Sequence, residues 1–347
     1  MRRSWAGGIA LIAVLALGSC GDDWSETPPP VTATPTPTPT PTPSPTPTPT
    51  TSPDYEITSD FTRDRSFTAF GAAATLTRHG SGSDWTTTYR ASLDAESSAI
   101  GFDFIAAARR YRARYNADTI DVATVAQSFP GRSWDEYAEP GDPPPANGRY
   151  FGRTDLRAGQ TYSGFALWRE GNRQPWDRDG ATTRILRMLF GARTVAGDLP
   201  TTGTTTYTTS VDFSRLQSAE VTIPLIGSAA QPSMSANVTI DWSSRQLSGG
   251  ITVSPVSGLG SSARPNDTYV IEGSVSATGE LSGTLTGVLT GGLDPNLKGK
   301  LNGFSGTLIG HVYGPRGVEM GFLYVVAGAN SPAGPREEYA GAVLGSQ

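Results

Sequence analysis

The sequence predicts a mainly β protein, with an eight-stranded antiparallel β-barrel at its C-terminal end preceded by a smaller, irregular, β-rich domain. Three observations predict it. Through residues 199–347 apolar side chains recur with period 2, most regularly where Met234, Ala236, Val238, Ile240 and Trp242 alternate with Ser235, Asn237, Thr239, Asp241 and Ser243. The folded part is rich in Gly, Thr and Ser, very poor in Lys, and nearly free of helix-period patterns. Finally, LSGG at 247–250, LSGT at 281–284 and FSGT at 304–307 each place a glycine two residues after a large apolar residue. Alternating large and small inward residues suit the tapering interior of a small closed barrel.

The chain opens with an address label. Arg2 and Arg3 precede an apolar run from Ala6 to Leu17, and Leu17-Gly18-Ser19-Cys20 has the form of a lipobox. The run is shorter than the roughly 20 residues a bilayer-spanning helix needs. Residues 1–19 therefore read as a cleaved lipoprotein signal, with Cys20 the lipidated residue and the outer membrane the partner of its anchor. Cys20 is the single cysteine, so no thiol is left for a disulfide, a metal or a nucleophile. Gly21 stands where an Asp would favour inner-membrane retention.

Residues 20–54 form a Thr/Pro-rich linker, TPTPTPTPTPSPTPTPTTSP at its centre. Its Thr27–Pro53 part, nearly pure Thr and Pro, stays extended at about 3 Å per residue, so it reaches about 80 Å, either as a passive stalk or as a proline-rich ligand for a partner domain. The mature chain carries 25 basic and 32 acidic residues, a net charge of −7, which argues against nucleic acid as a partner.

Residues 55–198 form the handle-like, β-rich domain. In RRYRARY, Tyr111, Ala113 and Tyr115 alternate with Arg110, Arg112 and Arg114, a strand with one basic face. That face either meets Asp and Glu on a neighbouring strand or docks an anionic partner. The preceding AIGFDFIAAARR admits helix or strand, TYSGFALWR at 161–169 reads as strand, and PGDPPPAN at 140–147 must be a loop.

Residues 199–347 form the barrel domain. After strands over Tyr207–Phe213, 234–242, Tyr269–Val275 and Leu281–Leu289, with further candidates near Glu220, Gln246 and Tyr339, the chain reaches GFSGTLIGHVYGPRGVEMGFLY at 303–324. Phe304, Gly306, Leu308, Gly310 and Val312 share one face, and Ser305, Thr307, Ile309, His311 and Tyr313 the other. Gly314-Pro315 supplies the reversal. Glu319 follows it, placed to accept hydrogen bonds from the turn amides or to pair with Arg316.

An enzyme is not expected. The two histidines, His79 and His311, lie far apart, and no His-x-x-x-His or cysteine cluster could hold a metal, so neither metal nor cofactor is expected. GLGSSA at 258–263 fits a dinucleotide fingerprint only formally, because Arg264-Pro265 prevents a following helix. The Asp177 and Asp179 pair reads as a solvated turn.

The segments LPTTGTTTYTTSVDF, LSGGI, FSGTLIGHVYGPRGVEMGFLYVV and EYAGAVLGSQ together resemble the β-barrel domain of transferrin-binding protein B and related surface lipoproteins. The motif residues are Gly310, Tyr313, Gly314, Pro315, Glu319 and Gly321; Phe322 replaces a usual second glycine, and no basic pair follows Gly345. The resemblance covers about 199–347, and only loosely the handle before it. It implies a lipid-anchored, non-catalytic receptor module of the outer membrane, with a TonB-dependent receptor and an iron- or haem-carrying protein as its partners. It carries over no ligand-binding residue, and it does not imply transferrin itself. The other reading is a structural or envelope-interaction lipoprotein whose barrel is a rigid spacer.

Overall fold

A computed structural model describes residues 54–58, 60, 62–81, 84–123, 135–137, 150–153, 160–171, 180, 182–214, 233–254, 267–289, 301–329 and 336–347. The signal, Cys20, the Thr/Pro linker, PGDPPPAN, Asp177, Asp179, the candidate strand near Glu220 and GLGSSA lie outside them.

The described chain is almost entirely antiparallel sheet. Strands β1 (Arg65–Ser81), β2 (Asp84–Ile105), β3 (Arg110–Tyr115), β4 (Asp118–Ala123), β5 (Asp135–Tyr137), β6 (Tyr150–Arg153), β7 (Ser163–Gly171) and β8 (Thr182–Gly191) form one curled sheet in the order β4-β3-β2-β1-β8-β7-β6-β5. Strands β9 (Thr204–Ser214), β10 (Ser233–Asp241), β11 (Gln246–Ser254), β12 (Asp267–Val275), β13 (Glu280–Leu289), β14 (Leu301–Tyr313), β15 (Glu319–Ala329) and β16 (Arg336–Ser346) close a barrel, with β9 pairing both β10 and β16. Among the described residues the only helical pieces are single 3-10 turns at Ala196–Asp198 and Pro315–Gly317. Both sheets belong to one compact unit, Thr51–Gln347.

The expected barrel of eight strands is present, and its interior is the face the period-2 pattern selects. Val238, Ile240, Leu247, Ile251, Ile271, Leu281, Leu308 and Phe322 are fully buried there, with Trp242 and Tyr207 at one end. The large residues Met320, Phe322, Tyr324 and Val326 of β15 lie beside glycines of both neighbours, Gly306 and Gly310 on β14 and Gly341 and Gly345 on β16. The outer face is polar over six strands. Thr206, Thr239, Ser248, Glu272, Thr284 and Thr307 stand in one cross-strand row, and the Thr206 and Thr239 hydroxyls are 3.1 Å apart. A membrane-spanning barrel needs an apolar outer band around a polar lumen. Along this row of six strands the arrangement is the reverse.

In the first sheet, β2 runs on to Ile105 and a turn at Ala106–Arg109 starts β3, so the strand reading of AIGFDFIAAARR is the observed one. Tyr111, Ala113 and Tyr115 are buried with Phe102, Trp168 and Phe190, and the Phe102 and Phe190 rings stack at 4.2 Å. The arginine face meets acids across its neighbours: Arg112 binds Asp121 at 2.8 Å, and Arg114 binds Asp103 at 3.1 Å. Exposed pairs of this kind contribute at most about 1 kcal/mol each.

A shifted register and two-sided burial explain why this half reads irregularly. Pairing of β1 with β2 shifts between Thr68 and Ala69 and again before Gly71. The extra residues, Ser98–Ile100 and one more between Asp94 and Ser97, lie in β2. Phe67, Ala69 and Ala73 face one core while Phe70, Ala72 and Ala74 face the barrel, so β1 keeps period 2 with both its faces covered from Ala69 on. Strand β8 shows no alternation because both its faces are buried.

Candidate functional site

The residues singled out around the Gly314-Pro315 turn converge on the seam where the first sheet lies against the barrel. The outer faces of β14, β15 and β16 are apolar at that end, and Tyr313, Leu323, Ala342 and Leu344 pack on Phe70, Phe165, Ile185 and Leu189 of the first sheet. Gly321 makes this approach possible, since a Cβ there would lie 2.7 Å from the Leu189 Cδ1.

Glu319 is 4% exposed, and its partners differ from the local ones expected. One carboxylate oxygen accepts the Thr161 N–H at 2.6 Å; the other accepts the N–H groups of Tyr162 and Ser163 at 3.0 and 2.8 Å and the Ser163 hydroxyl at 2.7 Å. Neither the turn amides nor Arg316 supplies these donors. They come from the backbone that leads into β7, so the carboxylate joins the two sheets. Three successive N–H groups form a concave donor site for an anion, and burial strengthens each bond.

The turn takes part in the same seam. Gly314 adopts φ 70°, a left-handed value, and a Cβ there would strike the Tyr162 ring at 2.4 Å. Its N–H donates to Ala192 O at 2.8 Å, and its carbonyl accepts the Thr194 hydroxyl at 2.7 Å. Pro315 opens the 3-10 turn, and the Arg316 amide that follows donates to the Asp198 carboxylate at 3.0 Å. Asp198 also accepts the Tyr55 hydroxyl at 2.9 Å. At the far end of β16, Glu338 accepts the Ala91 N–H at 2.6 Å. Tyr55, Ser163, Asp198 and Glu338 are thus seam residues that sequence reasoning missed.

His311 and Tyr313 lie on the outer face of β14, as the pattern predicts, yet both are buried, Tyr313 against the first sheet and His311 beside Arg193 and the Thr278–Gly279 turn. Gly310 faces inward, close against β15. Burial pushes the His311 imidazole down to about 4, with the Arg193 guanidinium adding to the effect and the Val312 carbonyl, 2.7 Å from Nδ1, opposing it. Burial likewise raises the Tyr313 phenol. The unfolded chain binds a proton on His311 near pH 6.5, whereas the folded chain does so only near 4. Stability on this account is complete above pH 6.5 and falls as the pH drops from 6.5 through 4. The loss levels at about 3 kcal/mol. Denaturant unfolding across that window should show a flatter profile for His311→Gln than for the parent; parallel profiles would exclude His311 as the source.

Among the described residues no group of three or more His, Cys, Asp or Glu is placed to hold a metal ion. The arrangement at the seam binds its own backbone rather than a substrate, and its chemistry is that of a lock. Among the described residues no helix is long and apolar enough to cross a membrane.

No family model and no curated protein sequence matches the chain. Among solved structures it is similar to the isotype 1 transferrin binding protein B of serogroup B Neisseria meningitidis, with a TM-score of 0.42 and 15% identity over 79% of this chain and 43% of that one. It is similar also to HpuA of Kingella denitrificans, in complex with human haemoglobin, with a TM-score of 0.34 and 15% identity over 85% and 91% of the two chains. A transferrin binding protein B variant from Haemophilus parasuis gives 0.31 and 13% over 82% and 77%. The chain spans less than half the length of the Neisseria protein. Likenesses at this level carry no residue and no ligand over to it.

Proposed function

We propose that the protein is a lipid-anchored, non-catalytic binding protein of the cell envelope that captures an extracellular macromolecule of the iron-carrying class. The observation that carries the reading is the filled interior of the barrel. Ligand sites for small molecules are concave cavities. Here the lumen holds the buried side chains of Trp242, Ile271, Leu308, Phe322 and Tyr324, so recognition falls to the outside of the molecule. A partner recognised there is macromolecular.

The rest of the reading comes from the sequence and its resemblance. Cys20 is the point of lipidation, residues 20–54 the spacer, 55–198 the handle and 199–347 the barrel, with Gly310, Tyr313, Gly314, Pro315, Glu319 and Gly321 as structural residues of the β14–β15 hairpin. The outer membrane is the proposed location, and a TonB-dependent receptor the proposed membrane partner. The polar outer face of the barrel over six strands supports attachment through the lipid rather than through the strands.

A transferrin binding protein and a haemoglobin-bound HpuA are among the similar structures, so transferrin and haemoglobin are the first ligands to test. The unlipidated chain from Gly21 should bind an iron-carrying host protein saturably in interferometry, with a Kd in the micromolar range or tighter. Absence of binding to transferrin, haemoglobin and haem alike, together with expression indifferent to iron, would reject the reading in favour of a rigid envelope spacer.

A further inference from the structure

We infer that the chain is tethered by the tight-turn pole of its barrel, so that the opposite pole and the tip of the β1–β2 hairpin face away from the membrane. The inference rests on the anchoring part of the reading above and gives it a direction. At one pole every reversal is short: β10 joins β11 through Trp242–Arg245, β12 joins β13 through Ser276–Gly279, and β14 joins β15 through Gly314–Val318. These turns are knitted together. Gly317 O accepts the Tyr207 hydroxyl at 2.8 Å and the Gln347 side-chain amide at 3.1 Å, while the Val312 N–H donates to Gly279 O at 3.0 Å. At the other pole the strands are joined through 215–232, 255–266, 290–300 and 330–335, each longer than any of the tight turns.

The N-terminal segment arrives at the tight-turn pole. The Tyr55 hydroxyl donates to the Asp198 carboxylate, which also accepts the Arg316 amide of the β14–β15 turn, and the Val195 N–H donates to the Tyr55 oxygen at 3.1 Å. Three residues on, the Thr58 N–H donates to Thr161 O at 2.9 Å, next to the donors that hold Glu319. The described chain therefore begins at this pole, at Asp54, and any pull from the anchor is delivered there.

The long hairpin points the other way. Glu96 pairs with Arg193, whose backbone bridges Tyr313 at the tight-turn pole, whereas Ala91 is held by Glu338 near the start of β16 at the opposite pole. From Glu96 to Ala91 β2 thus crosses the barrel toward its far end, and Asp84–Arg90 is still to come. Those residues, at about 3.3 Å each, carry the tip roughly 20 Å farther from the tether.

Energy transfer to the bilayer tests this. The chain from Gly21 has no cysteine, so it can be held on nickel-chelating vesicles through an N-terminal hexahistidine tag and labelled at one introduced thiol. Ala277→Cys places a donor in the exposed β12–β13 turn, and Ser235→Cys places it on the exposed face at the start of β10. With acceptor dye on the lipid headgroups, the Ala277 position should be quenched more strongly than the Ser235 position. The contrast should widen when residues 30–50 of the linker are deleted. Equal quenching in the shortened protein, or stronger quenching at Ser235, would overturn the inference. No ligand enters this measurement, so a failure to bind iron-carrying proteins and a failure of the orientation are read separately.

Discussion

Glu319→Ala should melt on the order of 10 °C below the parent protein, a loss of about 3–5 kcal/mol. Three backbone N–H groups and one hydroxyl donate to this carboxylate inside the seam, and the substitution removes their acceptor without removing them. A buried donor left without a partner costs about 1–3 kcal/mol, and bonds to a charged acceptor are stronger than neutral ones. Glu319→Gln keeps one oxygen but turns an amide N–H₂ toward groups that are themselves donors, so its melting point should fall between the two. Ser163→Ala deletes only the hydroxyl and should cost about 1 kcal/mol. Differential scanning calorimetry on the three variants gives the order directly. An unchanged melting temperature for Glu319→Ala would remove the carboxylate from any structural role.

The position of Glu319 after a Gly-Pro turn was legible in the sequence, but its partners were not. Thr161 and Ser163 stand far away along the chain, and local pairing rules offer only Arg316 or the turn amides. The same distinction runs through the molecule. The inward face of β10, β12 and β13 follows from period 2 alone, because one side of each strand meets solvent and the other a core. Where both sides are covered the alternation vanishes. Met320 to Ala327 is an unbroken stretch of apolar residues and glycine, and Leu323 and Val325 on its outer side meet the first sheet. That run was the available signal that a second layer covers the barrel here. In the first sheet, β1 and β8 escaped the period-2 search for one reason, burial of both faces from Ala69 on in β1 and along most of β8. His311 illustrates the consequence for a single residue. Its outer-face position was readable, but its burial depends on a neighbour that no local pattern reveals.

The alternating glycines also have a sharper role than filling a tapered interior. A Cβ built on Gly310 would stand 2.0 Å from the carbonyl oxygen of Gly321 and 2.6 Å from the Phe322 Cα. Both obstacles are backbone of the neighbouring strand, so no side-chain rotation relieves them. Gly306 is in the same position, with the Val325 oxygen at 1.9 Å. These glycines let β14 and β15 approach closely, while Phe322 and Val326 fill the volume beside them. Gly310→Ala should therefore force the two strands apart and cost more than about 3 kcal/mol, with the barrel failing to close at the upper limit. Gly250→Ala is the internal control. It lies in an equally regular strand, its added methyl would meet nothing nearer than 3.5 Å, and its unfolding free energy should stay within about 0.5 kcal/mol of the parent. Because both variants add the same methyl group and the same restriction to the unfolded chain, the difference between them isolates strand approach. If the two were equally stable, close approach would not be what these glycines provide, and interior volume would be left as their only role.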